Sequence, residues 1–190
     1  MSNRGRMFGA LVLALTLSGA AHAQQKTTPK KYAPPTTAEK ERRCLGGDSY
    51  DCIFAGSDHE HGRGVPVNFT QAVRFYRVAC DRSVADRARG FAGGQLPEQC
   101  YNLAVMTRDG RGLTADAAEG RRLLQYACRG AATLAAMACW DHAALQLRGI
   151  GGPADRNGAI ASLRDVIARD RNSDLAARAR TALQRLGVTP

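Results

Sequence analysis

The chain has 190 residues, 44% of them hydrophobic and 23% charged, and a formal net charge of +10. That length supports one domain with a modest core. The basic excess is arginine scattered through the chain, as in Arg77, Arg82, Arg87, Arg89, Arg121 and Arg122, with no stacking aromatics interleaved. This argues against a nucleic-acid surface and leaves a solvated basic exterior, open to anionic envelope polymers or an acidic partner.

The first residues read as an export signal. Arg4 and Arg6 precede an apolar stretch from Met7 to Leu17, and Ala21-His22-Ala23 has the small-x-small form of a cleavage site. Residues 1–23 are therefore expected to be a signal peptide, cut between Ala23 and Gln24. A membrane anchor would need about 20 apolar residues, which this stretch lacks, and no later stretch is apolar enough to span a bilayer. Removing Arg4 and Arg6 takes the net charge from +10 to +8 and leaves 167 residues. The expected destination is the periplasm or the exterior, an oxidising space that suits an even number of cysteines.

Residues 24–36 contain Pro29, Pro34 and Pro35 and no hydrophobic period, so they read as a flexible leader. The folded part is expected over 37–187. A short helix runs from Ala38 towards Cys44, with Thr37 as its cap. Beyond it the sequence repeats. Cys52 is followed by Gly62, Gly64 and Cys80, Cys100 by Gly110, Gly112 and Cys128, and Cys139 by Gly149 and Gly151 at the same spacings, with Ile167 in the closing position. On the same ruler lie small Ala72, Gly120 and Ala159, large Tyr76, Leu124 and Leu163, and the helix-capping Asn68, Asp116 and Asp155.

Each unit thus reads as a helix, a glycine turn and a capped second helix. The repeats span about 49–81, 97–129 and 135–169. Their helices are expected near 50–60 and 69–80, 97–108 and 115–128, and 135–147 and 156–168. Ser173 or Asp174 caps a last amphipathic helix over 174–186, which closes the end of the stack. One hairpin cannot bury its apolar face alone, so an all-α stack of hairpins is the expected fold. The connection between Cys80 and Cys100 is longer than its counterparts and carries Arg87, Arg89, Gly90, Gly93 and Gly94, making 82–96 an insertion whose role the sequence leaves open.

Six cysteines allow 15 connectivities, and the repeat narrows these to two schemes. Pairing within repeats strands Cys44 and Cys139. Pairing across the connections, Cys44–Cys52, Cys80–Cys100 and Cys128–Cys139, uses all six and is the expected arrangement. Each short loop so closed should stabilise the fold by about 2–3 kcal/mol.

These residues resemble the Sel-like repeat, a relative of the tetratricopeptide repeat, with the pattern A-x-x-L-G-x-x-Y-x-x-G-x-G-V-x-x-D followed by K-A, aromatic or leucine pairs, and A-A or A-C. Repeat one matches through Gly56, Gly62, Gly64, Val65, Asn68, Ala72, Phe75, Tyr76, Ala79 and Cys80. Repeat two matches through Leu103, Ala104, Gly110, Gly112, Leu113, Asp116, Leu123, Leu124, Ala127 and Cys128. The spacing of Cys44 and Cys52 resembles the secreted, cysteine-rich branch. The resemblance covers roughly 44–169 and implies a right-handed αα-solenoid that binds proteins or peptides in a concave groove. It departs from the family where a tyrosine is replaced by His59, Thr107 and Gln146, and at Ile167 and Gly152. Members of the branch described as weak β-lactamases or penicillin binders make a β-lactam-binding hydrolase the alternative.

The sequence offers little for an enzyme. S-x-x-K, G-x-S-x-G and H-E-x-x-H motifs and a phosphate loop are all absent, and every lysine precedes residue 41. His59-Glu60-His61 is the one candidate metal cluster, and its histidines point about 200° apart on a helix. No catalytic residue, metal site or cofactor is expected. His142 reads as a packing residue, and Trp140 and Tyr101 as core slightly before groove. The expected contacts to a protein or peptide partner, possibly acidic, are Asn102, Val105, Arg108, Asp141 and Gln146 on first helices.

Overall fold

The computed structural model describes residues 33–90, 97–130, 133–169 and 171–189, with the side chain of Arg87 excepted. The expected signal peptide and most of the leader lie outside the described residues, as do 91–96 of the insertion. Eight α-helices and one 3-10 turn make up the regular structure of these residues. They are α1 (Thr37–Leu45), α2 (Ser49–His61), α3 (Phe69–Ala88), α4 (Tyr101–Asp109), α5 (Ala117–Ala127), α6 (Thr133–Arg148), α7 (Arg156–Arg169) and α8 (Asp174–Arg185). The 3-10 turn, Pro97–Cys100, leads into α4.

Three hairpins, α2/α3, α4/α5 and α6/α7, are each closed in the same way. In each, the residue that caps the second helix also donates its backbone N–H back to the first. Asn68 reaches the His59 carbonyl at 2.8 Å, Asp116 that of Thr107 at 2.8 Å, and Asp155 that of Gln146 at 2.9 Å. The same three side chains accept from the backbone of Gln71, Glu119 and Gly158. One short polar residue therefore fixes both the turn and the helix start.

The hairpins stack through their glycine turns. Gly112 has φ +79° and sits against the start of α3, where a Cβ would overlap the Phe69 carbonyl and lie 2.8 Å from the Thr70 nitrogen. Gly151 has φ +70° and meets the start of α5 in the same way, at the Ala117 carbonyl. The turns of the second and third repeats thus rest on the second helix of the repeat before, which only glycine permits. Between the helices, one continuous core contains Tyr76, Leu103, Met106, Leu123, Leu124, Leu145, Leu163, Val166 and Leu183. α8 packs on α7 and α6 and adds Ala179 and Leu183 to that core.

Disulfides join Cys44 to Cys52, Cys80 to Cys100 and Cys128 to Cys139, with Cα–Cα distances of 4.6, 4.5 and 4.7 Å. The second bridge does not start from a helix end, because α3 continues eight residues past Cys80. Much of the insertion is therefore helix, not loop. At the N-terminus, Thr36 caps α1 in place of the expected Thr37. Thr37 is buried instead and donates to Asp58 and to the Arg63 carbonyl, while Lys40 pairs with Asp58 at 2.6 Å. These contacts dock α1 on α2. Among the described residues, no helix is long and apolar enough to cross a membrane.

Candidate interaction face

Helices α4, α6 and α8 pack in sequence along one face of the stack, and α2 is joined to it through Arg111 of the turn after α4. Polar contacts tie this face together from repeat to repeat. Arg111 pairs with Glu60 of α2 at 2.8 Å and lies 4.7 Å over the Phe69 ring. Glu60 also accepts from the Tyr76 hydroxyl at 2.7 Å. Burial first, and then Glu60, push the Tyr76 hydroxyl well above its ordinary range, so it stays a donor.

The next link joins α4 to α6. Arg108 makes a forked pair with Asp109 at 2.5 and 2.9 Å and approaches Asp141 at 3.8 Å. Tyr101 donates to Asp141 at 3.3 Å. Burial raises the Asp141 carboxyl, and Arg108 opposes that shift. The Tyr101 hydroxyl is pushed up to about 12, by burial and then by Asp141. The hydrogen bond to Arg108 holds Asp109 below the usual carboxylate range. Beside this group α5 approaches α4 closely at Gly120, where a Cβ would lie 2.7 Å from the Arg108 Cβ. The result is a polar seam with charges of both signs. On α2, Tyr50 and Phe54 are more than half exposed, and Leu147 of α6 is partly so.

Of the expected contact residues, Asn102, Val105, Arg108 and Asp141 lie half-buried on α4 and α6. Gln146 does not join them. It is 5% exposed, accepts from the Ser162 hydroxyl at 3.1 Å and faces Asp155. The reason is register: His59, Thr107 and Gln146 occupy the same ruler position, and all three are buried against the second helix. Tyr101 and Trp140 are partly buried against the core. Tyr50 and Phe54 are not among the expected contacts, although their four-residue spacing on an otherwise polar helix face is a usable signal.

The histidines have separate employments. His59 meets Glu41 at 2.7 Å and stacks on Phe75, Glu60 serves Tyr76 and Arg111, and His61 bonds within its own helix to Ser57. His59, Glu60 and His61 therefore do not converge. The one grouping of three metal-binding residue types among the described residues is Cys128, Cys139 and Asp165, whose two sulfurs are bonded to each other. His142 is buried with its Nδ1 3.2 Å from the Ser162 hydroxyl. That pair is poor material for a nucleophile, since the Ser162 hydroxyl bonds to Gln146 and burial, helped by Arg121, lowers the His142 pKa to about 4. His142, Ser162, Gln146 and Asp155 form a hydrogen-bonded chain inside the third hairpin.

The Sel1 repeat family model matches residues 52–84, 97–131 and 136–161, the three hairpins. The chain belongs to the Sel1 repeat family. Among solved structures it is similar to a Sel1 repeat protein from Oxalobacter formigenes, with 18% identity and a TM-score of 0.59. That match covers 75% of this chain and 51% of the other, so the chain spans about half the length of this relative. A second is c5321, a protective antigen of uropathogenic Escherichia coli strains with an SLR fold, at 16% identity and a TM-score of 0.42, covering 82% of this chain and 37% of that one. No match is found among curated proteins. The Sel1 repeat matches account for the helix-hairpin stack, and repeats of this kind are protein-interaction scaffolds.

Proposed function

We propose that this Sel1 repeat protein is an exported scaffold of the cell envelope that binds a protein or peptide, favouring acidic segments, on the face lined by α2, α4 and α6. The observation that carries this reading is the ordered first-helix face, where Arg108, Asp141, Tyr101 and exposed Phe54 stand on helices fixed by three disulfides. A rigid face loses little conformational freedom on binding, which favours an extended partner. Export is supported by the amino-terminal signal pattern and by disulfides, which persist in oxidising compartments. The net charge of +8 after processing favours acidic partners and makes affinity fall as salt rises.

Capture from an envelope extract by the mature domain tests the reading. The expected outcome is a partner retained at low salt, released at high salt, and weakly retained by Arg108→Glu. Equal capture by that variant would overturn the assignment of this face. The β-lactam-hydrolase alternative gains no support from the site, since Ser162 and His142 are bound into the hairpin core.

A further inference from the structure

The groove between α6 and α8 carries a more specific reading, which rests on the scaffold function just proposed and locates a subsite for it. We propose that this groove binds an extended partner segment with an acidic residue at each end and a bulky apolar side chain between them. Its volume is about 570 Å³. Trp140 and Leu147 of α6 form one wall, Ala182 and Leu186 of the α8 side form the other, and Arg178 and Arg185 stand on the rim. Among the described residues, no carboxylate lines it. The nearby Asp141 is engaged by Tyr101 and Arg108, and Arg178 is a further charge acting on its carboxyl.

The two arginines are differently prepared. Arg178 lies 4.7 Å over the Trp140 ring. Stacking occupies the guanidinium face and leaves its in-plane N–H groups for a carboxylate, the geometry in which arginine binds best. Arg185 has no ion pair among the described residues and is exposed at the end of α8. Seven residues separate them, about 10 Å along a helix. A polyproline-II-like extended segment, with about 3.1 Å per residue and three residues per turn, covers that distance in about three residue steps and returns to the same side. A segment with carboxylates at positions one and four therefore presents both to the arginines, and a large apolar side chain between them, a third of a turn away, faces the Trp140–Leu147 wall.

Charge selects this occupant over the other available ones. The leader over 24–36 carries Lys26, Lys30 and Lys31 and no acidic residue, so the two arginines repel it. A second copy of the chain is itself strongly basic.

Trp140 is the sole tryptophan of the chain, so its emission reports on this groove directly. The mature chain is titrated with the blocked peptide Gly-Glu-Leu-Ala-Glu-Gly and with its double glutamine counterpart. The acidic peptide should produce a saturable emission change that weakens with salt, and Arg185→Glu should weaken it about tenfold or more. Circular dichroism confirms that the variant is folded. Equal binding of the glutamine peptide, equal binding by Arg185→Glu, or no emission change at roughly millimolar peptide overturns the proposal. Binding that survives Arg185→Glu but is lost in Arg108→Glu overturns this site and leaves the scaffold reading standing. An emission change that follows protein concentration without peptide assigns the groove to a second copy and also overturns it.

Discussion

Replacing the second turn glycine by alanine should cost more in the second repeat than in the first, although both glycines have nearly the same backbone angle. Gly64 has φ +75° and Gly112 φ +79°. An L-residue in that left-handed region costs about 1–2 kcal/mol. At Gly64 the added Cβ meets only the Thr37 hydroxyl at 3.5 Å, an ordinary contact. At Gly112 it overlaps the Phe69 carbonyl and lies 2.8 Å from the Thr70 nitrogen, and backbone cannot rotate aside. Forcing the start of α3 away adds about 1–3 kcal/mol, as overpacking does. Gly64→Ala should therefore lose about 1–2 kcal/mol and Gly112→Ala about 2–5 kcal/mol. For a domain of this size each kcal/mol shifts Tm by about 2–4 °C, so the two melts should be clearly separated. Thermal unfolding followed by far-ultraviolet circular dichroism reads both. Equal shifts would show that left-handed strain alone matters, and that the turn does not support the neighbouring hairpin.

Three further outcomes follow from the same contacts. Reduction should destabilise the stack, by about 3.3 kcal/mol for the Cys80–Cys100 loop and about 2.5–2.8 kcal/mol for the two shorter ones, so single Cys-to-Ser pairs should rank in that order in denaturant melts. Because the folded His142 has a pKa of about 4, below its ordinary 6.5, the unfolded chain binds the proton first as pH falls. Its contribution, up to about 3 kcal/mol, is fully present above the ordinary value and is lost as pH falls towards about 4. His142→Gln should flatten that part of the stability–pH curve, and an unchanged slope would show that another group carries it. Asp141→Asn removes the charge that holds Arg108 across α4 and α6, and since that pair is partly exposed the loss in stability should be within about 1 kcal/mol. A larger drop in Tm would mean that the seam is structural and not held for a partner.

The stack was legible because its spacing is set by backbone geometry. A turn pressed on the preceding helix needs glycine, a helix start needs Asn or Asp, and a seam needs alternating small and large residues, so each copy repeats the same choices. The residues that depart from expectation lack such a constraint. The end of α3 is one case: nothing in Asp81–Ala88 stops a helix, and it runs on beyond Cys80 where the ruler suggested a close. Thr36 and Thr37 are chemically alike, and only the position of Asp58 decides which one turns inward. Gln146 was misplaced because a polar side chain was read as a surface one, whereas Ser162 and Asp155 satisfy it inside the hairpin. The groove beside Trp140 depends on how α8 settles against α6, and the helical stripe of α8 shows only its buried side.

The central claim is that partners are held on the first-helix face. A photo-crosslinking amino acid placed at Val105 of α4 and, as the control, at the exposed Gln125 of α5 tests it directly. With the partner recovered from an envelope extract, the account predicts adducts from Val105 that diminish with salt and none from Gln125. Adducts from Gln125 alone would place binding on the second helices and contradict it.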